Sequence, residues 1–228
     1  MFSARSAFKT FLHVEVQSPL RDYLFPSGIH CFHVPSRIRM HVNRMASVRS
    51  LKPNVTREQA ILQFSSTGIP RFFRNAAFGP LRSVAELYVP FRLFQVQIVN
   101  RGQTEQRFLA LDAVAGTLDP FQFDHVPTEE ETVSIESRNC PRAQLDDALV
   151  AQLLVAKLRR FLYGRGFFRM QGLEITATPI PQGLHIPYWL GFRGSNGHAR
   201  VAVIDAVRRR FEGAKVRRLV EAWLTSKT

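Results

Sequence analysis

The chain has little of what most often declares a protein's chemistry. Its two cysteines, Cys31 and Cys140, stand in unrelated contexts, which argues against a disulfide framework and a paired-thiol zinc site and fits a reducing, cytoplasmic compartment. No apolar run reaches the roughly 20 residues that span a bilayer, because Arg, Gln, Asp or Pro interrupts each one, so no transmembrane segment is expected. A phosphate loop, a Gly-x-Gly-x-x-Gly turn after a strand and a Gly-x-Ser-x-Gly elbow are all missing. No catalytic residue, metal or cofactor is therefore expected. Acid is scarce as well: 18 Asp and Glu face 31 Lys and Arg, and the formal net charge of +13 suits a polyanionic partner such as nucleic acid.

What is present is a stretch that occurs twice. Val89-Pro90-Phe91-Arg92-Leu93 leads to Leu111-Asp112-Ala113-Val114, and Ile186-Pro187-Tyr188-Trp189-Leu190 leads to Ile204-Asp205-Ala206-Val207. Each reads as a strand, a polar turn and a return strand ending in aliphatic-Asp-Ala-Val. The expected fold is α+β, a duplicated helix-plus-antiparallel-strands unit with a C-terminal amphipathic helix.

Residues 1–50 carry basic residues and four of the seven histidines without a sustained period, and read as a disordered or misassigned N-terminal extension. The acid-free first fourteen residues also admit a transit peptide. His30-Cys31-Phe32-His33 lies in this extension, and it lacks the spaced pairs that zinc requires. Residues 51–118 form the first unit. Thr56-Arg57-Glu58-Gln59 is a capping box that opens a helix over about 57–65, and Pro70 opens a second short helix to Phe78. Pro90 is expected at a strand start, an edge or a bulge, because it cannot donate to a ladder. Asn100-Arg101-Gly102-Gln103 turns the chain into the strand ending at Asp112.

Residues 119–140 form an exposed acidic connector. The second unit, 141–228, packs with the first: a helix opening at Pro141, a strand over 173–178 closed by Pro179 and Pro181, a second hairpin turning at 194–197, and a last helix over about 213–225. That helix carries Val216, Leu219, Val220, Trp223 and Leu224 on one stripe.

The helix opened by Thr56 to Ala60 and the strand ending Leu111-Asp112-Ala113-Val114-Ala115-Gly116-Thr117-Leu118 resemble a PepSY-type repeat. The second unit departs from that pattern, with Arg209 where glycine would fall. The resemblance implies a non-enzymatic modulatory or peptide-binding role.

Three functions follow from these residues. The first is a non-enzymatic intracellular interaction or scaffold module with a protein partner, since the chain shows duplication without a catalytic signature. The second is a nucleic-acid-binding protein, with Arg208, Arg209, Arg210, Lys215, Arg217 and Arg218 contacting phosphates and Tyr188 and Trp189 stacking on bases. The third is a hydrolytic enzyme using Asp112 and Asp205, the acidic residues that recur at matching positions. Against the third stands a plainer role, in which each aspartate accepts amide hydrogen bonds in the turn after its strand. His185, His198 and Ser195 flank or lie in the second hairpin without a motif that would make them a triad.

Overall fold

The structure is a computed structural model and describes residues 45–66, 79–164, 172–194 and 200–226. Among these residues the fold is mixed α+β and strand-rich, with eight strands and three helices. In chain order they are β1 (Ala46–Leu51), α1 (Arg57–Ser66), β2 (Leu81–Asn100), β3 (Gln103–Asp112), β4 (Phe121–Phe123), β5 (Thr132–Ser137), α2 (Asp147–Gly164), β6 (Glu174–Arg193), β7 (Arg200–Asp205), β8 (Arg210–Phe211) and α3 (Ala214–Thr225). One sheet takes in all eight strands in the order β4-β3-β2-β6-β1-β5, with β7 pairing β6 and β8 pairing β7.

The two long strands, β2 and β6, run antiparallel through the centre. Val89 lies directly opposite Ile186, so the aliphatic residues that open the two twin stretches face each other. Each strand carries its proline in mid-run, not at a start, an edge or a bulge as expected from sequence. In an extended strand a residue's N–H and C=O point to the same side. The carbonyl of Pro90 accepts the amide of Ala113, and that of Pro187 accepts the amide of Ala206. Each proline therefore turns its missing donor toward a neighbour whose ladder has just ended, at Asp112 and at Asp205, and the β2–β6 ladder loses nothing.

Alternation along β2 feeds different cores. Leu87, Val89, Phe91 and Leu93 enter a core shared with β6, β7 and the buried side of α3, Val216, Leu219 and Val220. Phe94, Val96 and Ile98 enter a second core under Val150, Leu154 and Leu158 of α2. A third core gathers Val84, Trp189, Ile204 and Ala206 under Ala60 and Phe64 of α1. Phe64 sits on Gly191, where an added Cβ would lie 2.8 Å from its ring.

Several expectations need correction. The strand placed at 173–178 does not close at Pro179 and Pro181; it continues as β6 to Arg193. Pro181 falls in the irregularity opposite Arg92 and Leu93, where the ladder is already interrupted. The helix expected from Pro141 starts at Asp147, because the amides of Gln144 and Leu145 donate to the carbonyl of Ala113 and Asp146 supplies the cap. The acidic connector contains β4 and β5, and Phe121 and Thr132 are buried. Residues 46–50, assigned from sequence to an extension, form β1 together with Leu51, and this strand pairs with β5 in register from Ala46 opposite Ser137 to Leu51 opposite Thr132. The Thr56 box forms as expected: Gln59 N donates to Thr56 Oγ1 at 3.3 Å and Thr56 N to Gln59 Oε1 at 3.0 Å. The helix expected over 70–78 lies outside the described residues. None of the described helices is long and apolar enough to cross a membrane.

Candidate functional site

Asp112 and Asp205 end β3 and β7 opposite Phe91 and Tyr188. Both side chains are fully buried, and each binds the turn that follows it. At Asp112, Oδ1 accepts the amides of Ala115 at 2.8 Å and Gly116 at 2.9 Å, while Oδ2 accepts that of Leu118 at 2.8 Å. At Asp205, Oδ1 accepts the amides of Val207 and Arg208, each at 2.8 Å. Its Oδ2 has no hydrogen-bond partner, and the Arg208 Nε stands 4.0 Å away. The residue placed as Leu118 is in the first turn is Phe211, and Phe211 is drawn into the β7–β8 pairing opposite Ile204. Burial consequently pushes the Asp205 carboxyl above its ordinary range, against the two amide bonds that pull it down.

Both turns pass through the left-handed region at the fourth residue after the aspartate. In the first turn that residue is Gly116, at φ 63°, and in the second it is Arg209, at φ 57°. Glycine takes this conformation freely, whereas a residue with a Cβ is strained there.

Each turn is covered by the helix that precedes the other hairpin in the chain. The amide of Gln144, just before α2, donates at 2.8 Å to Ala113 of the first turn, and the amide of Asn54, just before α1, donates at 2.7 Å to Ala206 of the second. Asp146 caps α2 through the amide of Leu149, as Thr56 caps α1 through that of Gln59. Counting from the caps, Val150 and Leu154 occupy the places of Ala60 and Phe64, and all four are buried. Over the first turn the fit is closed: a Cβ on Gly116 would lie 2.5 Å from Leu153 Cδ1 and 3.3 Å from Leu145 Cδ1. Over the second turn, Val55, Gln59, Leu62, Gln63 and Arg209 line an open cavity of about 290 Å³.

The six basic residues singled out from sequence have different surroundings. Arg208 is half-buried, with its guanidinium carbon 3.6 Å from the centre of the Phe121 ring and Nη2 3.4 Å from the Pro120 carbonyl, and burial lowers its pKa. Arg210 pairs with Glu212 at 3.1 Å, and Lys215 pairs with Asp119 at 2.5 Å. Arg209 is exposed beside the cavity, while Arg217 and Arg218 are exposed on α3, away from Val216, Leu219 and Val220. Lys157 adds a cation near Lys215; it donates to the Thr117 carbonyl at 3.1 Å, and burial, then Lys215, depresses its pKa. The aromatic pair does not offer stacking faces. Tyr188 is 4% and Trp189 5% exposed, and the Trp189 indole donates to the Val55 carbonyl at 2.9 Å. Both belong to the cores beneath the turns.

His185 is half-buried, with Nδ1 3.2 Å from the Arg49 carbonyl, and burial lowers its pKa. Ser195, His198 and the His30–His33 group lie outside the described residues. Among the described residues no group of three His, Cys, Asp or Glu is placed to hold a metal. Comparison with protein-family models, curated proteins and solved structures finds no match to this chain. The cavity over the second turn escaped the sequence reading. Arg209 in a glycine's place was its visible signal, but Gln63 in the place of Leu153 shows only when the two caps are superposed.

Proposed function

We propose that this protein is a non-enzymatic, cytoplasmic interaction or scaffold module built from a duplicated helix-plus-hairpin unit. The duplication is supported by the pairing of Val89 with Ile186, by the matching amide bonds to Pro90 and Pro187, and by the matching caps at Thr56 and Asp146. One observation carries the functional reading. The two acidic residues that recur between the units are wholly buried and hold their own turns, which is framework work that a substrate-facing carboxylate does not do. Affinity purification of the full chain from its native cell should return a stoichiometric protein partner. A robust turnover activity with no partner would overturn the proposal.

A second reading, nucleic-acid binding, is favoured by the exposure of Arg217 and Arg218 side by side on α3 in a chain of net charge +13. With Tyr188 and Trp189 buried, such binding would rest on phosphate contacts alone, without sequence preference and with a steep salt dependence. Charge reversal at Arg209, Arg210 and Arg217 should abolish it; binding that survives counts against this surface.

A further inference from the structure

We infer that the cavity between α1 and the turn after Asp205 docks a peptide segment of a partner protein that carries a carboxylate beside a large apolar side chain. The inference rests on the interaction-module reading and names the kind of partner it takes.

The place is defined by comparison with its counterpart. Over the first turn, Gly116 lies beneath Leu145 and Leu153, and a side chain there would have to displace Leu153. Over the second turn, Val55 keeps an apolar residue in the place of Leu145, but Gln63 replaces Leu153 and Arg209 replaces Gly116. The exchange withdraws the apolar filling and opens about 290 Å³ at the surface. It also sets a guanidinium beside the opening on a residue whose backbone is held at φ 57°, where glycine would be relaxed. Strain that glycine would remove is tolerated here, and the arginine side chain is what the strained position gains.

The surroundings set the ligand chemistry. Leu62 is 65% and Phe211 45% exposed, the first lining the cavity and the second held by an edge contact with Phe64, ring centres 5.8 Å apart. Large apolar surface next to the exposed Arg209 suits an acidic side chain with an apolar neighbour, the carboxylate taking two hydrogen bonds from the guanidinium. A nucleic acid draws its affinity from several cations along its backbone, and Arg210 is already paired with Glu212. The volume holds one anchoring side chain and is small for a cofactor. The walls are built in advance: Asn54 clamps the turn twice, its amide to Ala206 O at 2.7 Å and its Nδ2 to Val207 O at 2.8 Å.

The test is selection of phage-displayed random peptides on the full chain, followed by binding of a synthesised, fluorescently labelled winner. Enriched peptides are expected to share an Asp or Glu next to Leu, Met or Phe. Arg209→Gly and Gln63→Leu, which copy the first turn's residues, should each weaken binding about tenfold. Arg209→Gly should do so while raising the melting temperature, so loss of folding cannot account for the loss of binding. Winners without acid, winners that bind both variants as tightly as the parent, or displacement of the peptide from the cavity by single-stranded RNA would overturn the inference. If binding is lost instead on Arg217→Glu with Arg218→Glu, the cavity is refuted and the interaction module stands. If no peptide is selected and no partner co-purifies, both fall.

Discussion

The two turns after Asp112 and Asp205 begin alike and diverge within six residues. Both bury a carboxylate, both return an amide to a proline carbonyl in mid-strand, and both cross the left-handed region at the fourth residue. The first satisfies both carboxylate oxygens, passes through glycine and is sealed by leucines. The second leaves one oxygen without a partner, passes through arginine and stands open. The first turn is arranged for stability; the second gives up part of that stability where its surface is exposed.

Exchanging residues between the turns tests this contrast. Gly116→Arg should cost most, about 3 kcal/mol in urea unfolding, since it adds left-handed strain to a clash with Leu153. Asp112→Asn should cost about 2 kcal/mol, because an amide nitrogen would replace Oδ2 and face the buried N–H of Leu118. Asp205→Asn should cost less than about 1 kcal/mol: its remaining oxygen still accepts both turn amides, and the atom replaced has no hydrogen bond to lose. Equal costs for the two asparagine variants would erase the distinction. Arg209→Gly should gain up to about 1 kcal/mol.

The smallest effect is in pH dependence. The Asp205 carboxyl titrates above its ordinary 3.8 in the folded protein, so between those two values the native state binds more protons than the unfolded one. Its contribution to stability must therefore grow as pH falls through the raised pKa toward 3.8, and stay constant above it. Urea unfolding of the parent and of Asp205→Asn across this range should show the difference moving in the parent's favour at the acid end. A difference moving the other way would mean that Oδ2 is paired in solution.

Much of the local structure was legible in the sequence. The capping box at Thr56, the turn at Asn100 and the amphipathic stripe of α3 depend on residues within a few positions of each other. The same holds for the aspartates as turn acceptors. What escaped notice depends on distant neighbours. Whether Pro90 breaks a strand turns on where β3 ends, and whether Ala46–Leu51 and Thr132–Ser137 are strands turns on their pairing with each other across the chain. Pro141 looks like a helix start until the Ala113 carbonyl takes the next amides. Tyr188 and Trp189 have the right chemistry for a nucleic-acid surface, and only the packing of β6 shows them turned inward. The cavity was hidden for the same reason: Arg209 breaks the pattern of the first copy, but it meets Gln63 only through tertiary structure.

The crossing of helices between the two hairpins bears on assembly. A chain cut between β4 and β5 leaves α1 and β2–β3 on one piece and α2 and β6–β7 on the other. Each piece then carries a helix shaped for the other's turn and lacks the helix that covers its own. The halves are thus obligate complements, and a split protein should regain its fold only when both fragments are present together. The two recurring stretches that look like separable modules in the sequence behave in three dimensions as one interlocked body.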